Sequence, residues 1–293
     1  MRKSSAIVLG LAMLVAFPAP VLAESLDAVR EKGALRVAVY RDFQPFSFRG
    51  ESGRYTGADV ELARAITGEM GVSLELMLLT PDESMEDDLR NAVWKGHYIG
   101  GGTADMMMHV PTDPGFAEDN DQVHIFGGYF REEIAIAHNT AQLPSVASAI
   151  DLADARVGVE LDSISAYFLS SGYKGRLRAN AVRYPDTEAA VRGMLANEVG
   201  AVMGPRAQIE GALVRAGAGA EYPVKPMPLA GLYRSVWEVG MAVRRDSPAL
   251  RDEVASALSA LRARGEVERI FSHQGLTYIS PRSALAGVVR AAR

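Results

Sequence analysis

Short apolar runs of strand-like composition alternate with amphipathic helical segments along most of this chain, and that alternation most constrains its fold. Residues 35–39 (Leu-Arg-Val-Ala-Val) predict a first strand. Residues 59–70 carry apolar side chains at helical spacing, and Gly71 follows as a natural stop. Chains of this kind place helices against a largely parallel sheet. The sequence therefore predicts an α/β fold.

The same periodicities predict the other elements. We expect further strands at residues 73–79, 104–109, 133–138, 156–159, 199–203 and 238–243. We expect further helices at residues 82–94, 163–169, 187–197 and 248–271, with Asp162 opening the second of these and Asp186 capping the third. Residues 110–128, rich in Pro, Asp and Asn, are expected to be irregular.

The first 23 residues have the pattern of a cleaved secretory signal. Arg2 and Lys3 precede an apolar stretch, and small residues at 21–23 (Val-Leu-Ala) fit a signal-peptidase site. The stretch is shorter than the roughly 20 residues that a membrane span needs. We therefore expect a periplasmic protein with no membrane span after cleavage.

Composition excludes several classes of site and partner. The chain has no cysteine, so it has neither disulfides nor thiolate metal sites. Its formal charge is −5, and removing residues 1–23 leaves 29 basic against 36 acidic residues, a charge of −7. An acidic chain without a basic patch is a poor candidate for binding nucleic acid or an anionic membrane.

Three stretches together resemble the family 3 extracellular solute-binding proteins. They are residues 35–59 (with FQPFSF and GRYTGAD), 157–168 and 239–271. The resemblance implies a two-lobed periplasmic-binding-protein fold (type II-like), with central mixed sheets flanked by helices and a cleft between the lobes. Lobe one would comprise residues 24–131 plus 228–293, and lobe two residues 132–227. The crossings would lie near residues 131–136 and 223–227, and the protein is expected to be a monomer.

The resemblance also implies how an amino acid would be held, and this chain departs from that pattern. Where relatives place an arginine for the α-carboxylate, the count reaches Ala117, and residues 104–128 contain no Arg or Lys. The carboxylate-binding turn reads Asp162, Ser163 and Ile164 in place of a Gly-Thr-Thr-like sequence. Asp162 is expected mainly to cap the following helix. The position for an ammonium-binding aspartate reads Gly204-Pro205-Arg206, and Arg206 is either a cleft residue or a solvated one.

Other residues are expected at or near the cleft. Phe43 matches the position where the family stacks an aromatic ring on its ligand. His109, Val110 and Thr112 follow the third long strand and are expected to face the cleft, although a lone histidine is more often a hydrogen-bonded scaffold group than a metal ligand. No metal or cofactor site is expected.

The glycine-rich segment 94–102 is longer than this region usually is. The segment contains the aromatic residues Trp94 and Tyr98, with His97 between them. Such residues suit either a lip of the cleft or a surface for a protein partner.

Segments 87–98, 104–111 and 120–123 are similar to accessory proteins encoded with quinoprotein methanol dehydrogenases. That resemblance implies a non-catalytic partner of a PQQ-dependent alcohol dehydrogenase and its cytochrome c. An ABC-transporter receptor that delivers a small non-amino-acid ligand to a permease is the alternative. A dehydratase-like enzyme on the same fold is the third, with Glu160, His109 and Asp162 as candidate acids or bases by position only.

Overall fold

The computed structural model describes residues 26–229, 231 and 234–282, so the expected signal sequence lies outside the described residues. The first half of the chain contains α1 (Leu26–Lys32), β1 (Ala34–Tyr40), β2 (Phe48–Arg49), β3 (Tyr55–Thr56), α2 (Ala58–Met70), β4 (Ser73–Leu79), α3 (Met85–Leu89), β5 (Met106–Pro111), α4 (Pro114–Asp119) and β6 (Val123–His138). The second half contains β7 (Val157–Glu160), α5 (Ile164–Ser171), β8 (Ala181–Tyr184), α6 (Thr187–Leu195), β9 (Ala201–Pro205), α7 (Arg206–Arg215), β10 (Val224–Pro226), β11 (Val236–Arg244), α8 (Pro248–Ala263) and α9 (Glu266–His273). The predicted α/β class is confirmed.

Nine of the described strands form one continuous path in the order β4-β1-β5-β11-β6-β9-β7-β8, with β10 added beside β6, and β2 pairs separately with β3. Strand β1 runs parallel to β4 and β5, and β7 runs parallel to β8 and β9. Between these parallel groups, β11 and β6 run antiparallel to their neighbours. The sheets are therefore mixed, as the resemblance implied.

Apolar side chains on the two faces of these strands pack into separate cores. In β1, Val37 and Val39 face one core cluster and Ala38 faces another, because side chains alternate along a strand. In β9, Met203 and Val202 likewise face two different clusters. The first pair of clusters defines what we call lobe one, and the second pair defines lobe two.

Strand β6 joins the lobes. It pairs with β11 between Val123 and Glu133, and with β9 from Ile134 to His138. Trp237, on β11 at this junction, packs against core clusters of both lobes. One link between the lobes is thus an unbroken strand of 16 residues.

The segment expected to be irregular, 110–128, is largely ordered. Helix α4 begins after Asp113, whose Oδ1 accepts hydrogen bonds from the backbone N–H groups of Gly115 and Phe116 at 3.1 and 3.2 Å. Pro114 occupies the first turn, where a missing N–H costs nothing. Strand β6 then begins at Val123, well before the predicted 133. The expectation failed because a cap and a proline were interpreted as loop residues.

Two predicted long helices are interrupted. The helix expected at 82–94 is α3 followed by a π-helical turn at Arg90–Trp94. The helix expected at 248–271 is divided into α8 and α9 by Gly265, which has a left-handed φ of 69°. Within the described ranges, no helix is both long and apolar enough to cross a bilayer.

Candidate functional site

A cavity of about 340 Å³ lies between the lobes. Lobe one contributes Asp42, Phe43 and Gln44, which follow the carboxyl end of β1. Lobe two contributes Glu160 at the end of β7, the first turn of α6 just after β8, and residues of α7. Loops that leave the carboxyl ends of parallel strands are the usual place for ligands in α/β folds. The cavity is therefore the candidate binding site.

Phe43 is the aromatic wall of this cavity and is fixed from behind. Its ring centroid lies 5.7 Å from that of Tyr40, 5.1 Å from that of Phe46 and 4.9 Å from that of His109. Because three neighbours hold it, the ring can meet a ligand without first being ordered.

The charges in the cavity are mostly negative. Its lining has four carboxylates and two guanidinium groups, namely Asp42, Glu160, Asp186, Glu188, Arg192 and Arg215. Both arginines pair with the same carboxylate, Glu188, at 3.3 Å (Arg192) and 2.8 Å (Arg215). Both guanidinium groups therefore already have a carboxylate partner, and because four carboxylates face two guanidinium groups, the cavity has a negative excess.

Two of these carboxylates are held by the start of α6. Asp186 caps the helix as predicted, since its Oδ1 accepts the Ala189 N–H at 2.6 Å. Oε2 of Glu160 accepts hydrogen bonds from Thr187 N–H and Oγ1 at 3.1 and 2.8 Å. Two amide donors of the first turn, those of Thr187 and Ala189, are therefore already engaged and do not offer an anion site.

The turn around Asp162 differs from expectation. The cap of α5 is Ser163, whose Oγ accepts the Ala166 N–H at 3.1 Å, so the assignment of Asp162 as that cap is wrong. Asp162 is exposed, has a left-handed φ of 57°, and lines a separate hollow with Tyr167 and Arg183. Ser163 has its Oγ engaged and lines that same hollow.

Arg206 is buried, so the interpretation of it as a solvated side chain is wrong. Only 9% of the residue is exposed. Its guanidinium pairs with Glu133 on β6 at 2.7 Å and with Glu210 one turn along α7 at 3.5 Å. It does not line the cavity between the lobes. Ala117, the other position compared with amino-acid receptors, lies in α4 and also outside the lining.

His109 belongs to a buried hydrogen-bonded cluster. Its Nδ1 lies 3.0 Å from Oδ2 of Asp59, and its backbone N–H donates to the Tyr129 hydroxyl at 3.0 Å. That hydroxyl donates to Asp59 Oδ1 at 2.6 Å. Burial, and then the nearby charge of Asp59, raise the pKa of Tyr129 well above its usual value. His109 has a left-handed φ of 62° where the register of β5 with β11 shifts, so the strand bulges there.

Val110 and Thr112 lie elsewhere than expected. Val110 is fully buried in the lobe-one core and does not face the cleft. The Thr112 hydroxyl points to the Glu238 carbonyl oxygen at 3.4 Å, and Thr112 lines a separate hollow of about 270 Å³ beside Trp237. The bulge at His109 shifts the side-chain alternation, which sequence spacing alone did not reveal.

The segment with Trp94, His97 and Tyr98 is not a lip of the cleft. It precedes β5, and Arg36 near the amino end of β1 donates to the carbonyls of Gly101 and Thr103 at 2.9 and 3.1 Å. The segment therefore lies at the amino ends of β1 and β5, whereas the cavity lies at the carboxyl end of β1. His97 and Tyr98 have ring centroids 4.5 Å apart, and Tyr98 is 91% exposed.

Sequence reasoning missed several residues that line the cavity: Asp42, Gln44, Thr187, Glu188, Arg192, Gln208 and Arg215. For those at the start of α6, the signal was available, since they follow a parallel strand directly. For those on α7, no local signal exists, because the approach of this helix to lobe one is a tertiary feature. Among the described residues, no group of three or more His, Asp or Glu side chains is placed to hold a metal ion.

Comparison with known proteins agrees with this architecture. Residues 35–94 match the model of bacterial extracellular solute-binding proteins, family 3. A 62-residue segment, 21% of this chain, is 39% identical to a cyclohexadienyl dehydratase of Pseudomonas aeruginosa. A 51-residue segment, 17% of this chain, is 39% identical to the L-cystine-binding protein TcyJ of Escherichia coli. The matched segments span only 23% and 19% of these two relatives.

Solved structures match over far more of the chain. An ancestral cationic amino acid solute-binding protein aligns with a TM-score of 0.67 at 22% identity, covering 85% of this chain and 99% of that one. A substrate-binding protein of an amino acid ABC transporter from Streptococcus pneumoniae, bound to L-arginine, aligns with a TM-score of 0.59 at 20% identity, covering 87% of this chain and 100% of that one. At such identities the likeness shows the fold alone. The chain thus has the fold of the periplasmic binding proteins, and residues 35–94 carry the sequence of the family 3 solute-binding proteins.

Proposed function

We propose that this chain is a non-catalytic periplasmic binding protein whose cleft does not accept ordinary α-amino acids. One observation carries the proposal: both arginines in the cavity lining are paired with Glu188. A ligand carboxylate entering the cavity meets a negative excess, and it would have to compete with Glu188 for either guanidinium.

The energetic consequence is large on the scale of ligand binding. A bidentate pair of arginine and carboxylate in a dry site is among the strong charge-assisted interactions. Truncating one partner of such a pair costs about 2–5 kcal/mol, and about 1.4 kcal/mol is tenfold in affinity. An α-amino acid is therefore expected to bind this cleft at least tens of times more weakly than a cleft with a free arginine.

A thermal-shift screen tests this exclusion. Protein comprising residues 24–293 is melted with each common L-amino acid at micromolar concentration. No amino acid is expected to raise the melting temperature. A rise of several degrees with any of them would overturn the proposal, because ligands that bind only the folded state stabilise it.

For the positive role, we place first an accessory partner of a PQQ-dependent alcohol dehydrogenase. The similarity of segments 87–98, 104–111 and 120–123 to such accessory proteins motivates it. The described fold supports a contact surface there, since Tyr98 and Ile99 are 91% and 77% exposed. Large apolar side chains so exposed suit the centre of a protein interface. This surface lies away from the cleft, so partner binding needs no ligand in the cavity.

Binding of the purified dehydrogenase to immobilised protein tests this role. Tyr98→Ser combined with Ile99→Ser is expected to weaken binding by tenfold or more. Tyr167→Ser is the matched control, because Tyr167 is also exposed, at 67%, but lies on lobe two. Failure of the unaltered protein to bind any quinoprotein dehydrogenase of the same periplasm would rule the role out.

The acidic cavity favours a second candidate, a receptor that delivers a small organic cation to an ABC permease. A cation would lie over the face of Phe43 with carboxylates around it, which is how aromatic sites recognise organic cations. Calorimetry with putrescine and tetramethylammonium tests this. Asp42→Asn is expected to weaken binding, whereas Asp121→Asn on an exposed loop is not. If neither cation gives a heat signal with either variant, the result contradicts this receptor role.

The enzymatic alternative has less support from the contacts in the cleft. Glu160 is held by two donors of Thr187, His109 is bound to Asp59, and Asp162 lines a different hollow. General acid–base catalysis needs such groups converging on one reacting atom. The three candidates are instead separated, which supports a binding role.

A further inference from the structure

Helix α7 packs on both lobes. Its inner face belongs to lobe two, where Ile209, Ala212 and Leu213 are buried in the same core cluster as the apolar residues of α6. Its opposite face carries Ala207, Glu210, Gly211, Val214 and Arg215. These positions follow the spacing i, i+3, i+4, i+7 and i+8, so they form one stripe along the helix.

The two ends of this stripe contact different parts of lobe one. Ala207 is 1% exposed and belongs to the lobe-one core cluster. At the other end, the guanidinium carbon of Arg215 lies 5.7 Å from the ring centroid of Phe48, within the range of a cation–π interaction. The contact therefore extends along the whole helix.

The middle of the stripe meets lobe one most closely. Glu210 accepts hydrogen bonds from Thr277 N–H and Oγ1, each at 2.8 Å, and Thr277 follows α9. A Cβ added at Gly211 would lie 2.8 Å from Cβ of Pro45 and 3.0 Å from its Cγ. Because a proline ring is stiff, only a glycine allows α7 to lie this close to the loop after β1.

We propose that α7 is a clasp that holds the two lobes closed without a bound ligand. Each contact in the stripe joins a lobe-two helix to a lobe-one side chain or backbone group, and of the residues that make these contacts on α7 only Arg215 also lines the cavity. Closure is therefore a property of the chain itself. This inference does not depend on which ligand or partner the protein has.

The absence of cysteine from the sequence allows a direct test. Spin labels are attached through Glu83→Cys, on exposed lobe-one chain after β4, and Leu161→Cys, on exposed lobe-two chain after β7. Pulsed electron spin resonance then measures the distance between the lobes. We expect one narrow distribution that does not change when L-arginine or putrescine is added. A broad distribution that narrows and shortens only with ligand would overturn the clasp.

Two variants probe the contacts themselves. Gly211→Val is expected to shift the distribution to longer and broader distances, since its side chain cannot fit against Pro45. Thr277→Val combined with Arg215→Met removes two contacts without adding bulk and is expected to broaden the distribution in the same direction. Gly68→Val on α2 is the matched control, because open space surrounds Gly68.

Circular dichroism and a melting curve establish that each variant is folded before its distances are compared. If both clasp variants fold and give the distribution of the unaltered protein, the clasp is wrong. If Gly211→Val does not fold, the double variant alone decides the question.

Discussion

Nδ1 of His109 lies 3.0 Å from Oδ2 of Asp59, inside lobe one and directly behind the aromatic wall of the cleft. The His109 ring touches Phe43, and Asp59 is 1% exposed at the start of α2. A buried carboxylate thus anchors both the bulge in β5 and the ring that faces the cavity. We expect this carboxylate to position the cleft wall.

Removing the Tyr129 hydroxyl tests the strength of this anchor. Tyr129→Phe leaves Asp59 Oδ1 without its donor and the His109 N–H without its acceptor, both in a buried place. We expect a loss of about 1–3 kcal/mol in the free energy of unfolding, the cost of unpaired buried groups. Urea denaturation measures it. Tyr184→Phe is the control, since the Tyr184 hydroxyl bonds Glu198 in an exposed position. Equal losses in the two variants would contradict the anchoring role.

Glu132, on β6 at the junction of the lobes, predicts a dependence of stability on pH. Burial raises its pKa from 4.5 to about 8, although the N–H groups of Glu133 and Ala207 oppose the shift. Nearby Glu210 raises this pKa further, and Arg206 lowers it. The folded state therefore keeps a proton that the unfolded state has lost, and stability falls as the pH rises from about 4.5 to about 8.

Glu132→Gln is expected to remove this part of the pH dependence and to raise stability most above pH ~8, because no charge is then buried. Melting temperatures of both proteins across about pH 4–9 check it, since these limits lie on either side of the window from 4.5 to about 8. Glu118→Gln on the exposed side of α4 should follow the unaltered protein. Parallel curves for the unaltered protein and Glu132→Gln would show that Glu132 is charged throughout.

The corrected cap of α5 gives a matched pair of substitutions. Ser163→Ala removes the oxygen that accepts the Ala166 N–H, and we expect a loss of about 1 kcal/mol. Asp162→Asn keeps a residue type that tolerates left-handed backbone and breaks no cap, so its effect should be near zero. Thermal unfolding distinguishes the two. A larger loss of stability for Asp162→Asn than for Ser163→Ala would indicate that Asp162 is the cap after all.

The break between α8 and α9 is expected to require glycine. Gly265→Ala forces a Cβ into left-handed backbone, which costs about 1–2 kcal/mol. Gly68→Ala lies inside α2, where alanine is favoured by about 0.5–1 kcal/mol over glycine. Differential scanning calorimetry should thus show opposite shifts of the melting temperature. A stabilising Gly265→Ala would mean that the two helices can fuse.

The sequence predicted local elements well where one periodicity governs a whole segment. The helix at 59–70, the strand at 73–79 and the Asp186 cap are all present. Prediction from the sequence failed where single residues override the helical periodicity of the side chains, as at Gly265 and at the cap of α4. These are local signals, and a stricter search for caps and left-handed positions could have found the α4 cap.

The site was harder to predict than the fold, for a physical reason. Arg206 is buried because Glu133, 73 positions earlier in the chain, pairs with it, and nothing near Arg206 in sequence indicates that partner. Val110 points into the core and not into the cleft, because the bulge at His109 reverses the direction of the side chains that follow it. Comparison with the family pattern identifies which residues lie at strand ends. Whether a side chain at such an end can contact a ligand depends on its tertiary partners, which the pattern does not reveal.

Strand β6 has a consequence for how this protein unfolds. One strand of 16 residues supplies the edge of the lobe-one ladder and also pairs with β9 in lobe two, so we expect fraying of β6 in one lobe to weaken its pairing where the two ladders meet, at Glu133 and Ile134. The two cores are expected to melt as one cooperative unit, and amide hydrogens of β6 to exchange only through global opening. In this chain a connection between the lobes is itself part of both sheets, and we expect it to limit how independently two halves with separate cores can behave.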